Sequence, residues 1–179
     1  MQHTPDILIT LFQHTFLNSD NTQLVRGEDE PLYLPADATQ PHHRIIFAHG
    51  FFASALHEVA HWCVAGQKRR LLEDYGYWYQ PDGRSAEQQA EFERVEIKPQ
   101  ALEWIFSQSA GVQFHFSADN LSGGSGISEP FKQAVLSQIS DYLTHGLPKR
   151  AARWSEALVQ HYRPNRPLNM SEFSLESFS

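Results

Sequence analysis

Two histidines and a glutamate stand together at His57-Glu58-Val59-Ala60-His61, an H-E-x-x-H string. At this chain's own His and Glu frequencies, chance supplies such a string in about 4% of sequences of this length, so the match merits a geometric test. In a helix the two imidazoles lie about 40° apart on one face and one turn apart, where both can bind one ion. Ser54 and Ala65 share that face and are small, which leaves room above it. Phe52, Leu56, Val59 and Cys63 gather on another side and should meet the core, so Cys63 reads as a small buried hydrophobe rather than a ligand. Glu58 is the catalytic candidate, because the residue after the first His acts as general base on metal-bound water in hydrolytic zinc sites. The motif alone does not assign it that role.

Two imidazoles need a third ligand. A metzincin extension would place Gly and His at positions 64 and 67, which are Val64 and Gln67. A Glu about 20 residues on, as in thermolysin-like sites, would fall at positions 79–82, and none is there. The chain offers instead an acidic helix with Glu87, Glu91, Glu93, Glu96 and Glu103. Glu93 and Glu96 share a face, and Glu96 lies beside Pro99, where a helix can be aimed at a site. Glu96 is therefore the preferred ligand and Glu93 the second choice, while Glu87 and Glu91 read as a solvated face.

Those residues need elements to hold them. Pro5 with Ile7, Leu8, Leu11, Phe12 and Phe16 predicts a first helix over 5–17. Two short strands separated by a charged turn are expected within 22–36, and another strand over 44–47. The metal helix spans 51–66 and stops at Gly66. Residues 75–79 read as an aromatic strand closed by Pro81-Asp82-Gly83. A helix over 85–109 should be interrupted or kinked near Pro99. A strand is expected at 114–116, a flexible loop at 122–128, and helices near 130–145 and 149–162. Residues 1–162 form one metal-binding catalytic domain, followed by a polar, loosely held tail over 163–179. The fold class is α+β: a single compact domain with several helices packed on a small sheet and the metal site on the HExxH helix.

Composition agrees with one soluble domain. The 179 residues carry 41% hydrophobic and 20% charged residues with a net charge of -7, which argues against direct grip on nucleic acid. One Cys excludes an intrachain disulfide and thiolate metal sites, so imidazole and carboxylate must hold any metal and the expected location is cytoplasmic. No stretch reaches the roughly 18 apolar residues of a membrane span, so no membrane partner is expected.

The string Phe47-Ala48-His49-Gly50 leading into the metal helix, and the run Val95-Glu96-Ile97-Lys98-Pro99-Gln100-Ala101-Leu102-Glu103-Trp104, are more specific than HExxH. With Tyr33-Leu34-Pro35-Ala36-Asp37 and Tyr75-Gly76-Tyr77-Trp78-Tyr79, they resemble the bacterial elongation factor P hydroxylase family, from about residue 5 to about residue 162. The resemblance implies hydroxylation of the modified lysine of elongation factor P after a β-lysyl group has been attached to it. It also implies a compact α+β fold similar to a bacterial ribosome-maturation endoribonuclease, with two His and one carboxylate holding iron. On this chain the two are His57 and His61, and the carboxylate falls within 93–96. Two imidazoles and one carboxylate leave positions open on non-haem Fe(II) for O2 as co-substrate. None of the ten His begins a His-x-Asp or His-x-Glu triplet, so 2-oxoglutarate is not implied, and no reductant is named.

Lesser candidates surround this set. His49 can face the metal helix or simply shape a loop. Asp74 with the aromatics of 75–79 can wall a pocket for a cationic side chain, and Asp119, Asn120 and the 122–128 loop can form a lid. Lys68, Arg69 and Arg70, and Lys149, Arg150 and Arg153, make two basic clusters that either are solvated helix ends or dock an acidic partner protein or RNA. Two other function classes remain open: a zinc hydrolase, peptidase or endoribonuclease with Glu58 as general base, and a binding module whose His pair is structural.

Overall fold

The computed structural model describes residues 2–77, 85–117 and 127–178. Helix α1 (Pro5–Asp20) buries Leu8, Phe12 and Phe16 at four-residue spacing and ends at Asn21, whose left-handed backbone returns its N–H to the Leu17 carbonyl. The two expected short strands form β1 (Thr22–Arg26) and β2 (Leu32–Leu34), and the third is β3 (His43–Phe47). β3 lies in the middle, parallel to β1 and antiparallel to β2. The register sets Leu24, Ile45 and Tyr33 in one row across the sheet, and all three are buried. One face of the sheet therefore joins the core.

The turn after β3 is tight. His49 and Gly50 both take positive φ (53° and 66°), and a Cβ at Gly50 would lie 2.5 Å from the Arg26 guanidinium. That turn sends the chain straight into α2 (Phe52–Val64), where the Ala48 N–H donates to Ser54 Oγ at 3.0 Å. α2 buries Leu56, Val59 and Cys63 as its pattern predicts, and Trp62 besides, while Phe52 is only half-buried. Two 3-10 turns follow, Arg69–Leu71 and Glu73–Gly76. Then come α3 (Ala86–Ala110), α4 (Glu129–His145) and α5 (Lys149–Tyr162). The result is one compact α+β domain, with five α-helices and a three-stranded sheet among the described residues. Among the described residues, no helix is long and apolar enough to cross a membrane.

α3 starts with a reciprocal capping box between Ser85 and Gln88 and stops at Gly111 (φ 75°). It runs through Pro99 as one helix rather than breaking there. Proline in a helix interior costs about 3 kcal/mol; α3 packs against α2, α4 and α5, and burial of Leu102, Trp104, Ile105 and Phe106 offsets that cost.

Three expectations give way. Tyr75 and Gly76 lie in a 3-10 turn, not a strand, because Asp74 and Tyr75 have left-handed backbone (φ 49° and 60°). The edge N–H of Tyr33 donates to Asp74 Oδ1 at 2.9 Å instead of to another strand. Residues 114–116 form no strand; Phe114 stacks on Trp104 at 5.2 Å and Phe116 meets the same ring edge-on. The C-terminal segment is held, not loose: it forms turns Met170–Glu172 and Leu175–Phe178, buries Phe173, and pairs Arg163 with Glu172 at 2.7 Å. Its aromatics complete the cluster around Trp104. Trp78, Tyr79, Pro81-Asp82-Gly83, Asp119, Asn120 and residues 122–126 lie outside the described residues.

Candidate metal centre

α2 and α3 cross with opposite polarity, so that the two His of α2 meet two acids of α3 in reverse order. His57 Nδ1 lies 2.5 Å from Glu103 Oε1, and His61 Nε2 lies 2.9 Å from Glu96 Oε1. The imidazole rings are 4.7 Å apart, centre to centre. One ligand atom from each of His57, His61 and Glu96 lies within 4.8 Å of the other two. Two imidazole nitrogens and one carboxylate oxygen so close together fit the donor chemistry of a first-row divalent ion. Glu93 is elsewhere: its carboxylate accepts from Ser128 Oγ at 3.2 Å, at the start of α4.

The supporting contacts fix each donor. Glu103 stands outside the three-residue cluster, so its hold on His57 Nδ1 leaves Nε2 as the nitrogen for a metal. Gln100, fully buried, donates from Nε2 to Glu96 Oε2 at 3.3 Å and to the Ser117 carbonyl at 2.6 Å. The Ser117 N–H returns to Gln100 Oε1 at 3.1 Å. Glu96 is thereby gripped from both oxygens.

Protonation follows from these pairs. Burial alone would depress His57, but the Glu103 carboxylate beside it, with Glu96 and Glu58, raises it to about 10. Burial alone would raise Glu96, yet His61, His57 and Gln100 bring it down to about 2. Glu58 is raised, chiefly by burial, against the opposing charges of His57 and His61. Its carboxylate has no hydrogen-bond partner among the described residues.

A pocket of about 180 Å³ opens beside His61, lined by Val64, Ala65, Arg69, Tyr75, Val95 and Pro99 among others. Other sequence candidates have structural work. His49 sits in the turn after β3, 3.8 Å from Asp29, and Asp74 is used by Tyr33. Cys63 is buried, and burial pushes its thiol up to about 12. Arg150 donates to the carbonyls of Trp62, Cys63 and Ala65, and Arg153 donates to the Thr15 carbonyl and pairs with Asp20. Two of the three cations in that basic cluster close helix ends.

A family model described as "Elongation factor P hydroxylase" matches residues 11–173. The chain belongs to this family. A Haemophilus influenzae protein named "Elongation factor P lysine hydroxylase" is 52% identical over 175 residues, 98% of each chain. The family match spans both helices of the cluster and continues to Phe173, past residue 162 and into the segment that packs on Trp104.

Glu103, Gln100 and Tyr75 are the residues that sequence reasoning passed over or placed differently. A signal existed for the first two: Glu96, Gln100, Glu103 and Ser107 recur at helical spacing, and all four are buried. A buried polar stripe on one helix face marks groups held for chemistry or for one another. The left-handed backbone that carries Tyr75 has no such signature, since a non-glycine residue there is set by its surroundings.

Proposed function

We propose that this chain hydroxylates the β-lysylated lysine of elongation factor P, using non-haem Fe(II) held by His57, His61 and Glu96 and O2 as co-substrate. The observation that carries the reading is the three-donor cluster of two His and one Glu in a member of this hydroxylase family. Fe(II), when bound, supplies the redox chemistry by which dioxygen attacks an unactivated C–H bond. A monooxygenase sends one oxygen atom into product and the other to water, which takes two electrons and two protons from an external reductant.

The chain's own residues supply the rest. Glu103 orients His57 through Nδ1, and Gln100 with His61 orients Glu96. Glu58 is assigned as the catalytic carboxylate, since it follows His57 directly and lacks a hydrogen-bond partner among the described residues. The pocket beside His61 receives the lysine side chain, its apolar walls matching the methylenes.

The test is a mass gain of one oxygen on β-lysylated elongation factor P, produced by the iron-loaded protein under air and reductant. His57→Ala and His61→Ala should abolish it. No gain with the wild type overturns the reading. Activity that is insensitive to oxygen, retains zinc and requires Glu58 would establish hydrolysis instead.

A further inference from the structure

Four large apolar side chains are exposed among the described residues, and three of them crowd one stretch: Val64 (37%), Leu71 (64%) and Leu72 (50%). The same stretch carries Lys68 and Arg69, both exposed. A single exposed leucine needs no reason, but an apolar group rimmed by charge has the composition of an interaction surface. The patch adjoins the pocket beside His61. Val64 and Arg69 line that pocket themselves. A Cβ on Gly76 would lie 2.9 Å from Leu72 Cδ1 and 3.7 Å from Arg69 Nη1, so Leu72 covers the turn between Tyr75 and Tyr77, which line the pocket as well. Arg69 is held in place, donating to the Tyr75 carbonyl at 2.9 Å with its guanidinium 4.1 Å from the Tyr77 ring centre.

The fold brings further cations to this place. Arg150 donates to the Ala65 carbonyl at 2.6 Å, and the next carbonyl, of Gly66, accepts from the Arg70 N–H at 3.1 Å. The start of α5 therefore sits beside the 66–72 turn, and the two basic stretches meet. Burial and the charge of Arg70 hold the Arg150 guanidinium below its ordinary range. Lys149, exposed, stands at the first position of α5, and no acid occupies that turn, although the helix dipole favours acids there. Of the acids that follow Leu72, Glu73 is exposed and Asp74 accepts from the Tyr33 N–H. A chain of net charge -7 thus gathers cations at the mouth of its pocket, where an acidic partner is attracted while the rest of the surface repels it. The exposed leucines decide the kind of partner. Nucleic acid is gripped through its phosphates, to which aliphatic side chains add nothing, whereas a protein interface has an apolar centre with charge at its rim.

We propose that Val64, Leu71 and Leu72, with Lys68, Arg69 and Lys149, form the docking surface for an acidic face of the protein that carries the target lysine. The substrate is then recognised outside the pocket as well as by the side chain within it. This rests on the hydroxylase reading for the identity of the substrate and adds a second point of contact.

The experiment titrates fluorescently labelled β-lysylated elongation factor P, followed by anisotropy, with the metal-loaded protein under anaerobic conditions. Wild type is compared with Leu71→Ser and with the double reversal Lys68→Glu/Lys149→Glu. None of these three residues is among those that line the pocket, and all are exposed, so melting temperature and Co(II) affinity should hold. Phe51→Ser is the control: Phe51 is 62% exposed but lies at the other end of α2, about 20 Å away. Each patch variant should bind about tenfold more weakly, the double reversal chiefly through slower association and with most of the salt dependence gone, while Phe51→Ser should change less than twofold. The proposal is overturned if wild type does not bind, if either patch variant loses less than twofold, or if Phe51→Ser loses as much. It is also overturned if a short single-stranded RNA binds wild type more tightly and shows the same losses. Turnover is scored separately. Lost binding in the patch variants with no oxygen transfer by wild type supports the docking surface and refutes the hydroxylase reading; oxygen transfer with KM unchanged in both patch variants overturns the docking surface and leaves that reading standing.

Discussion

Replacing Arg150 with alanine should destabilise the protein through the helix that carries the metal ligands. The guanidinium donates to the Trp62 and Ala65 carbonyls at 2.6 Å each, reaches that of Cys63 at 3.4 Å, and lies 4.6 Å from the centre of the Trp62 ring. α2 ends at Ala65 in extended backbone, without a left-handed glycine cap, so Arg150 supplies the closure that such a cap provides elsewhere. A hydrogen bond to a charged group contributes about 1.5–3 kcal/mol net, and a cation over an aromatic ring about 0.5–1. Two good bonds and the stack, discounted for overlap, give a loss of about 3–5 kcal/mol. For a chain of this size that is a melting shift of roughly 10 °C. Arg150→Lys should recover less than half, because a single ammonium cannot bridge carbonyls on two sides as the planar fork does. Urea unfolding with an unchanged m-value is the measurement. The Ala65 N–H also bonds the His61 carbonyl at 3.0 Å, so the alanine variant should bind Co(II) more weakly in a chelator competition. A stability change within about 0.5 kcal/mol, the usual range for a free surface cation, would refute the argument and return Arg150 to a docking role.

Other outcomes follow from the same contacts. Gln100→Leu removes the grip on Glu96 while preserving bulk, and metal affinity should drop about 10- to 100-fold; unchanged affinity would show that Glu96 needs no support. In the metal-free protein Glu96 is held near 2 against an ordinary 4.5, so its contribution is present above about pH 5 and is lost as pH falls toward 2, about 3 kcal/mol in all. The acid limb of a stability profile should accordingly be shallower in Glu96→Gln, and identical limbs would contradict the pairing with His61. Phe173→Ala empties a buried position against Trp104 and should cost about 3–5 kcal/mol in chemical denaturation. A cost below about 1 kcal/mol would mean that the C-terminal segment does not pack on the core.

The five helices among the described residues, the three strands before residue 48 and the pairing of His57 with His61 were written into local pattern. Apolar spacing sets α1 and the core face of α2, and two His four apart must share a helix face whatever surrounds them. The preference for Glu96 also came from the chain, through its place beside Pro99. Tertiary packing decided what local pattern leaves undetermined. Pro99 stays within α3 because burial on several sides outweighs one missing hydrogen bond. Residues 163–178 are polar in composition, yet Phe173 and Phe178 find Trp104. Tyr75 turns left-handed because Asp74 must reach the edge of β2. Above all, Glu103 and Glu96 become partners of His57 and His61 only because α2 and α3 cross antiparallel at that height. Spacing along one helix is a local quantity, whereas which residues face each other across two helices depends on every packed side chain between them.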